Sequence, residues 1–251
     1  MPNGSASTVL VFVVLVLVFE ALERLRPARE IDRWKHLKTD VASFALAVTM
    51  NRACDWMITG WIRMHLPEHL TAFFGSVRAL PSLPKVLLAL VCADFTIYWL
   101  HRAQHRFDTL WRTHAWHHSI EEMYWFAGFR TSFVHSFLYN IPQATIPMLF
   151  FGLGTFETTI AFAIGMVVQF WEHTNLRVNI GPLAWVFITP QYHRVHHSAS
   201  ELCRTNYGTT FSVWDRLFGT YFDPRDVPAG TRLGLGEPVD RKRLPRMLVG
   251  V

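Results

Sequence analysis

Five apolar stretches run through this 251-residue chain: Thr8 to Leu22, Val41 to Trp61, Leu83 to Leu100, Phe133 to Leu153 and Phe156 to Trp171. A helix that crosses a bilayer needs about 20 mostly apolar residues. The second and fourth stretches reach that length. The first and last are shorter, as tilted or partly interfacial helices are. Pro142 and Pro147 predict a kink in the fourth, or a re-entrant hairpin with the fifth. A bilayer interior offers no partner for backbone polar groups, so such segments must be helical. The expected fold is all-α: a polytopic membrane helical bundle of four or five membrane helices, forming a single integral-membrane domain over residues 1–251. Half the residues are hydrophobic (51%), too many for an ordinary soluble domain.

Orientation follows from the basic residues. The loop after the first stretch carries Arg24, Arg26, Arg29, Arg33, Lys35 and Lys38, and the turn Phe151-Gly-Leu-Gly-Thr155 carries none. The positive-inside rule places that loop in the cytoplasm and the N-terminus outside. Alternation then returns the ends of the third and fifth stretches to the cytoplasmic face. Met1 to Thr8 has no positive charge and no small-residue cleavage site follows Val9 to Phe19, so the first stretch reads as a retained helix. The net charge of +5 sits in short loops beside apolar runs, with no basic block or aromatic–basic repeat, which argues against nucleic-acid binding. Cys54, Cys92 and Cys203 form no C-x-x-C pair and are expected to be buried small residues.

The chemistry lies in the histidines. Ten of the thirteen lie beyond residue 100, eight of them in three clusters: His101 and His105; His114, His117 and His118; His193, His196 and His197. A ninth, His173, follows the last apolar stretch. Residues three and four apart share one helix face, so each cluster is expected to project together from a helix. The adjacent pair in each H-x-x-H-H unit diverges by about a quarter turn, so each unit can serve two nearby metals. One ion cannot use eight or nine imidazoles, so two are expected. Their loss on replacing His117 or His196 with alanine is the corresponding expectation. Hydrolytic zinc pairs histidines with a Glu base, as in H-E-x-x-H, but Arg102-Ala103 and Ala115-Trp116 stand there instead. All-nitrogen ligation of two metals in an apolar setting favours iron handling dioxygen. A haem would need only paired axial histidines on facing helices.

The ordered set H-x3-H, H-x2-H-H, a histidine after a membrane helix, and H-x2-H-H resembles the fatty acid hydroxylase/sterol desaturase superfamily. So do Asp94-Phe-Thr-Ile-Tyr-Trp-Leu-His101-Arg102, Leu110-Trp-Arg-Thr-His114, Asn206-Tyr-Gly208 and Trp214-Asp-Arg-Leu-Phe-Gly-Thr220. The likeness covers roughly Leu83 to Pro224, the expected catalytic core. It implies a membrane oxidoreductase in which a cytoplasmic helical cap holds two non-haem iron ions. Dioxygen would be co-substrate and a separate ferredoxin, cytochrome or reductase the electron donor. A sterol, fatty acyl or ether-lipid chain would be hydroxylated or desaturated. By carry-over the metal ligands are His101, His105, His114, His117, His118, His173, His193, His196 and His197. Fatty acyl hydroxylases of the superfamily place another histidine four residues after the His173 position. Arg177 stands there, which brings the pattern nearer the sterol desaturase and alkylglycerol monooxygenase branches. It leaves a tenth ligand open, with His135 as a candidate.

Metal-bound histidines need carboxylates or carbonyls behind them. Asp94, seven residues before His101 inside an apolar run, is a candidate, with Glu172 and Asp215; Asp108 and Glu121 read as solvated loop charges. Phe95, Tyr98, Phe133, Phe137 and Tyr139 could flank a lipid chain, though helix packing explains most of them. No Gly-rich dinucleotide fingerprint and no cluster-binding cysteine set is present. Arg102, Arg106, Arg112 and Arg194 could dock an acidic donor or lipid phosphates. A metal-binding or metal-transporting membrane protein and a haem-binding membrane electron carrier are the competing readings. Trp185 to His197 is expected to be helical, with Pro190 near its start or at a break, and Val227 to Val251 to form an extended tail.

Overall fold

A computed structural model describes residues 3–54, 56–57, 60–65, 74–240 and 242–251. The apolar stretches become helices: α1 Asn3–Leu25, α2 Leu37–Cys54, α3 Ser82–Arg106, then Asp108–His114 as α4. The fourth stretch breaks where its prolines require. α5 Phe133–Asn140 passes through a π-helical turn, Ile141–Thr145, into α6 Ile146–Phe151. The fifth is α7 Thr155–His173. Shorter helices follow: α8 Pro190–His196, α9 Val213–Leu217 and α10 Leu244–Val249. No strand forms among the described residues, only the isolated bridges Phe187 to Phe211 and Ser198 to Leu233. The second stretch is helical as α2 to Cys54, at Trp56 and Met57, and again over Gly60–His65, while Asp55 and His69 lie outside the described residues.

α3 shows how the sequence aims the site. Its buried stripe runs Val86, Ala89, Ala93, Ile97, Tyr98 and then His101, Gln104 and His105, at three- and four-residue spacing. The stripe that packs apolar surface low in the bundle therefore presents imidazoles at its end. Phe107, in extended conformation, terminates it. α3 is the one helix among the described residues long and apolar enough to cross a membrane. Apolar side chains also face outward elsewhere, as at Leu10, Leu17, Trp56 and Phe156.

At one end of the bundle Val86 and Ala89 pack on Phe151 and Leu153. There Glu157 accepts from Lys85 Nζ (2.8 Å), Ser82 Oγ (2.8 Å) and the Gly154 amide (2.7 Å), tying α7 to α3. At the other end the C-termini of α1, α3 and α7 meet the N-termini of α2 and α5. The histidines collect here, and the loops between helices close over them.

Three expectations need correction. Residues 186–188 are not helical: a 3-10 turn ends at Trp185, Phe187 bridges to Phe211, and the helix starts at Pro190 with Thr189 as its N-cap. The tail is not wholly extended, since α10 folds back on α4 and α5. Of the cysteines only Cys54 is buried; Cys92 and Cys203 are half-buried.

A candidate dinuclear metal centre

The nine histidines gather into two buried groups. His101, His105, His114, His118 and His196 form one, and His117, His173, His193 and His197 the other, with candidate ligand atoms in each group within 4.8 Å of one another. Each H-x-x-H-H unit divides between them. Its first and last members go one way and its middle histidine the other: His114 and His118 against His117, His193 and His197 against His196. The adjacent-residue divergence produces this split, although the first unit is not one continuous helix. His114 ends α4, while His117 and His118 sit in a 3-10 turn.

The ring nitrogens show what the groups can bind. Nδ1 of His101, His117, His173 and His196 lies 2.8, 3.1, 3.2 and 2.8 Å from the carbonyls of Tyr207, Arg130, Gln169 and Thr205. A carbonyl only accepts, so each Nδ1 carries the proton and each Nε2 keeps a lone pair. Yet Nε2 atoms converge: His101 to His114 at 2.9 Å, His118 to His114 and His196 at 3.1 Å, His173 to His117 at 3.2 Å, His193 to His173 and His197 at 3.1 Å. At His117 and His173, both held at Nδ1, two lone pairs face each other, and at this distance they repel unless a cation lies between them. Two nitrogens each about 2.1 Å from one ion, at right angles, stand about 3.0 Å apart. His105 Nε2, buried and without a partner among the described residues, completes the five-histidine set. The donor set therefore fits two transition-metal ions.

Burial, and then the neighbouring imidazoles, hold His114, His117, His118, His193, His196 and His197 well below the ordinary histidine value. The unfolded chain therefore binds more protons than the folded one as pH falls below about 6.5, and stability present above that value is lost below it. Chelator-treated protein is expected to melt at steadily lower temperature from about pH 6.5 down to about pH 5. A melting temperature flat across that range would contradict neutral buried rings.

Supports come from every part of the chain. Asp215 accepts from the Tyr207 and Gly208 amides (both 2.8 Å) and Thr220 Oγ1 (2.6 Å), fixing the carbonyl that orients His101. Asn206 begins this turn in the left-handed region, at φ 59. Asp94 does not reach a histidine. It accepts from Thr209 Oγ1 (2.8 Å), the Thr210 amide (2.9 Å) and Trp214 Nε1 (2.8 Å), and so pins the 209–214 loop to α3. Glu172 Oε1 lies 3.3 Å from His173 Nδ1, and its Oε2 has no partner among the described residues. His135 stands outside both groups, stacked on His114 with Nδ1 atoms 3.1 Å apart. Phe95 and Tyr98 pack on Phe218, and Tyr139 stacks on His135. Arg194 is buried and donates to the Thr174 and Leu176 carbonyls, which removes it from any docking surface.

Three supports carry no metal-binding signature in the sequence. Glu23 of α1, fully buried, accepts from the Trp125 amide (2.9 Å), Thr174 Oγ1 (2.7 Å) and the Asn175 amide (2.7 Å), gripping the segment just after His173. Asp40 of α2 holds Arg130, whose carbonyl orients His117. Gly128 lies so close to His173 that a Cβ there would meet the ring at 2.5 Å.

The sequence model of the family described as fatty acid hydroxylase matches residues 86–220. Alkylglycerol monooxygenase of Xenopus tropicalis is 35% identical over 158 residues, 61% of this chain and 33% of that protein. An ornithine lipid hydroxylase of Rhizobium tropici is 35% identical over 159 residues, 62% of this chain and 46% of that protein. A fatty acid hydroxylase of Lecanicillium sp is 27% identical over 170 residues, 57% and 44% respectively. The chain thus spans between a third and a half of the length of these relatives. No solved structure matches it.

Proposed function

Because the chain belongs to the fatty acid hydroxylase family, we propose that it is a membrane-bound non-haem di-iron oxygenase that hydroxylates or desaturates a lipid. The observation that carries this reading is the convergence of nine imidazoles into groups of five and four, four of them held at Nδ1 by a backbone carbonyl. Bound iron would supply the activation of dioxygen that no side chain can perform. For hydroxylation the balance is one C–H bond, dioxygen, two electrons and two protons in, and one C–OH and one water out.

The chain's own part is to place and shield. His101, His105, His114, His118 and His196 would hold one ion, and His117, His173, His193 and His197 the other. Trp111 and Tyr207, against His105 at 5.0 and 5.4 Å between ring centroids, screen the five-histidine group from water. His135 and Asp215 act through the ligands, by backing His114 and by fixing the Tyr207 carbonyl. The relatives named above are named for alkylglycerol, ornithine lipid and fatty acid, which supports a lipid chain as substrate. Residues 1–251 would form one integral-membrane domain with its catalytic core at about 83–224. The charge distribution supports a metal site at the cytoplasmic face and an outside N-terminus. Electrons would come from a separate ferredoxin, cytochrome or reductase.

The test is the lipidome of one host expressing the wild-type chain or His117→Ala at matched level. Wild type is expected to yield lipid species gaining one oxygen or losing two hydrogens, absent with the variant. Identical lipidomes from iron-loaded wild type and variant would overturn the assignment.

A further inference from the structure

Near residue 240 the chain turns basic, with Arg241-Lys242-Arg243 and then Arg246; Arg241 lies outside the described residues. α10 carries Arg246 back against α4 and α5. Its seat is tight. Gly250, at φ +90, lies where a Cβ would stand 2.6 Å from Ser132 Oγ, the N-cap of α5, and 3.1 Å from Thr113 Cα in the last turn of α4. This docking brings Arg243 and Arg246 beside Arg112 on the outer face of α4. The three arginines, with Met247 and Val251, line a recess of about 560 Å³.

Two other arginines at this end of the molecule have carboxylate partners, Arg33 with Glu20 and Glu23 and Arg130 with Asp40, while the buried Arg194 is held by backbone carbonyls. Arg112, Arg243 and Arg246 are exposed, and among the described residues their guanidinium groups make no hydrogen bond or ion pair. Three like charges around one recess raise its potential until an anion enters. A guanidinium fork matches phosphate with two parallel N–H bonds. The apolar members matter too. Met247 and Val251, the latter 60% exposed, suit the glycerol and first methylenes of a lipid better than a free ion or an acidic peptide. The recess also sits where α5, the start of the fourth apolar stretch, would enter the bilayer. That is the face given to the cytoplasm above, where anionic lipids concentrate.

We propose that the recess of Arg112, Arg243 and Arg246 binds the phosphate of an anionic phospholipid headgroup. The proposal rests on the membrane reading above and not on the metals.

The full chain, loaded with metal and purified in neutral detergent, is titrated by calorimetry with dioctanoyl phosphatidylglycerol, dioctanoyl phosphatidylcholine and inorganic phosphate. Phosphatidylglycerol is expected to bind saturably and about tenfold more tightly than phosphatidylcholine, with inorganic phosphate weaker than either. Arg243→Gln/Arg246→Gln is expected to lose that advantage, and Arg243→Lys/Arg246→Lys to keep part of it, because lysine retains the charge and loses the fork. Equal binding of phosphatidylglycerol by wild type and the glutamine variant would overturn the proposal. So would equal affinity for the two lipids, or phosphate binding as tightly as the lipid. Polyglutamate binding more tightly than phosphatidylglycerol would make the recess an acidic-protein surface instead. Metal content is read on the same samples. A glutamine variant keeping its metals but not its lipid preference supports the headgroup site whatever the outcome of the lipidome test, so the two readings fail separately.

Discussion

His117→Ala is expected to bind one metal per chain, rather than lose both, where the wild type is expected to bind two, and to lose activity by about 10³-fold or more. The four-histidine group is left with three nitrogens, and lost metal chemistry is worth several kcal/mol of barrier. The neighbouring His118→Ala tests the division of the motif. His118 belongs to the five-histidine group, which keeps four imidazoles after the change. This variant is expected to hold two metals at saturation and to release one early to a chelator. The double variant is expected to lose the first ion outright and the second readily. Metal analysis after graded chelation checks all three. If His117→Ala and His118→Ala lost the same ion at the same chelator concentration, the assignment of adjacent histidines to different ions would fall. His65, whose Nδ1 meets the Trp61 carbonyl, is the matched control.

The reason these nine residues could be read from sequence is that helical spacing is a local property. H-x3-H and H-x2-H-H state which way side chains point before any tertiary contact is known. Hydropathy is local as well, so α1, α3 and α7 appear close to their expected bounds, and Pro142 and Pro147 mark the break between α5 and α6. The supports were less visible because each joins segments far apart in the chain. Asp94 reads as a support behind His101 because seven residues make about two turns of one helix face. Two turns also separate the groups by about 10 Å, and the partners of Asp94 arrive from a loop 115 residues later. Glu23 and Asp40 read as ordinary charges at helix ends. Their partners, Asn175 and Arg130, lie 152 and 90 residues away. Gly128 carries no local signal, because its requirement comes from the ring of His173 on another helix.

The second large effect lies outside the matched family region, in α2. Asp40 is fully buried and takes the Arg130 Nε–H at 2.9 Å, a second guanidinium contact through Nη2, and the Tyr124 hydroxyl at 2.9 Å. Arg130 also donates to the Ser119 carbonyl at 2.9 Å and lies over the Trp116 ring. The pair thus clamps both ends of the turn that carries His117 and His118. Asp40→Ala leaves a buried guanidinium without its counter-ion, which costs about 3–5 kcal/mol. The loosened turn frees the Arg130 carbonyl from His117, so the four-histidine ion is expected to go as well. Loss of stability alone could explain both results, and Asp40→Leu/Arg130→Met separates them. Replacing a whole buried ion pair with apolar residues is often neutral for stability. The double variant is therefore expected to regain most of the melting temperature of the metal-free protein while its second ion stays weakly held. Recovery of the melting temperature together with full metal content would show that the pair stabilises α2 without positioning His117. Regained stability without the second ion identifies the Asp40–Arg130 pair as what holds His117 in place.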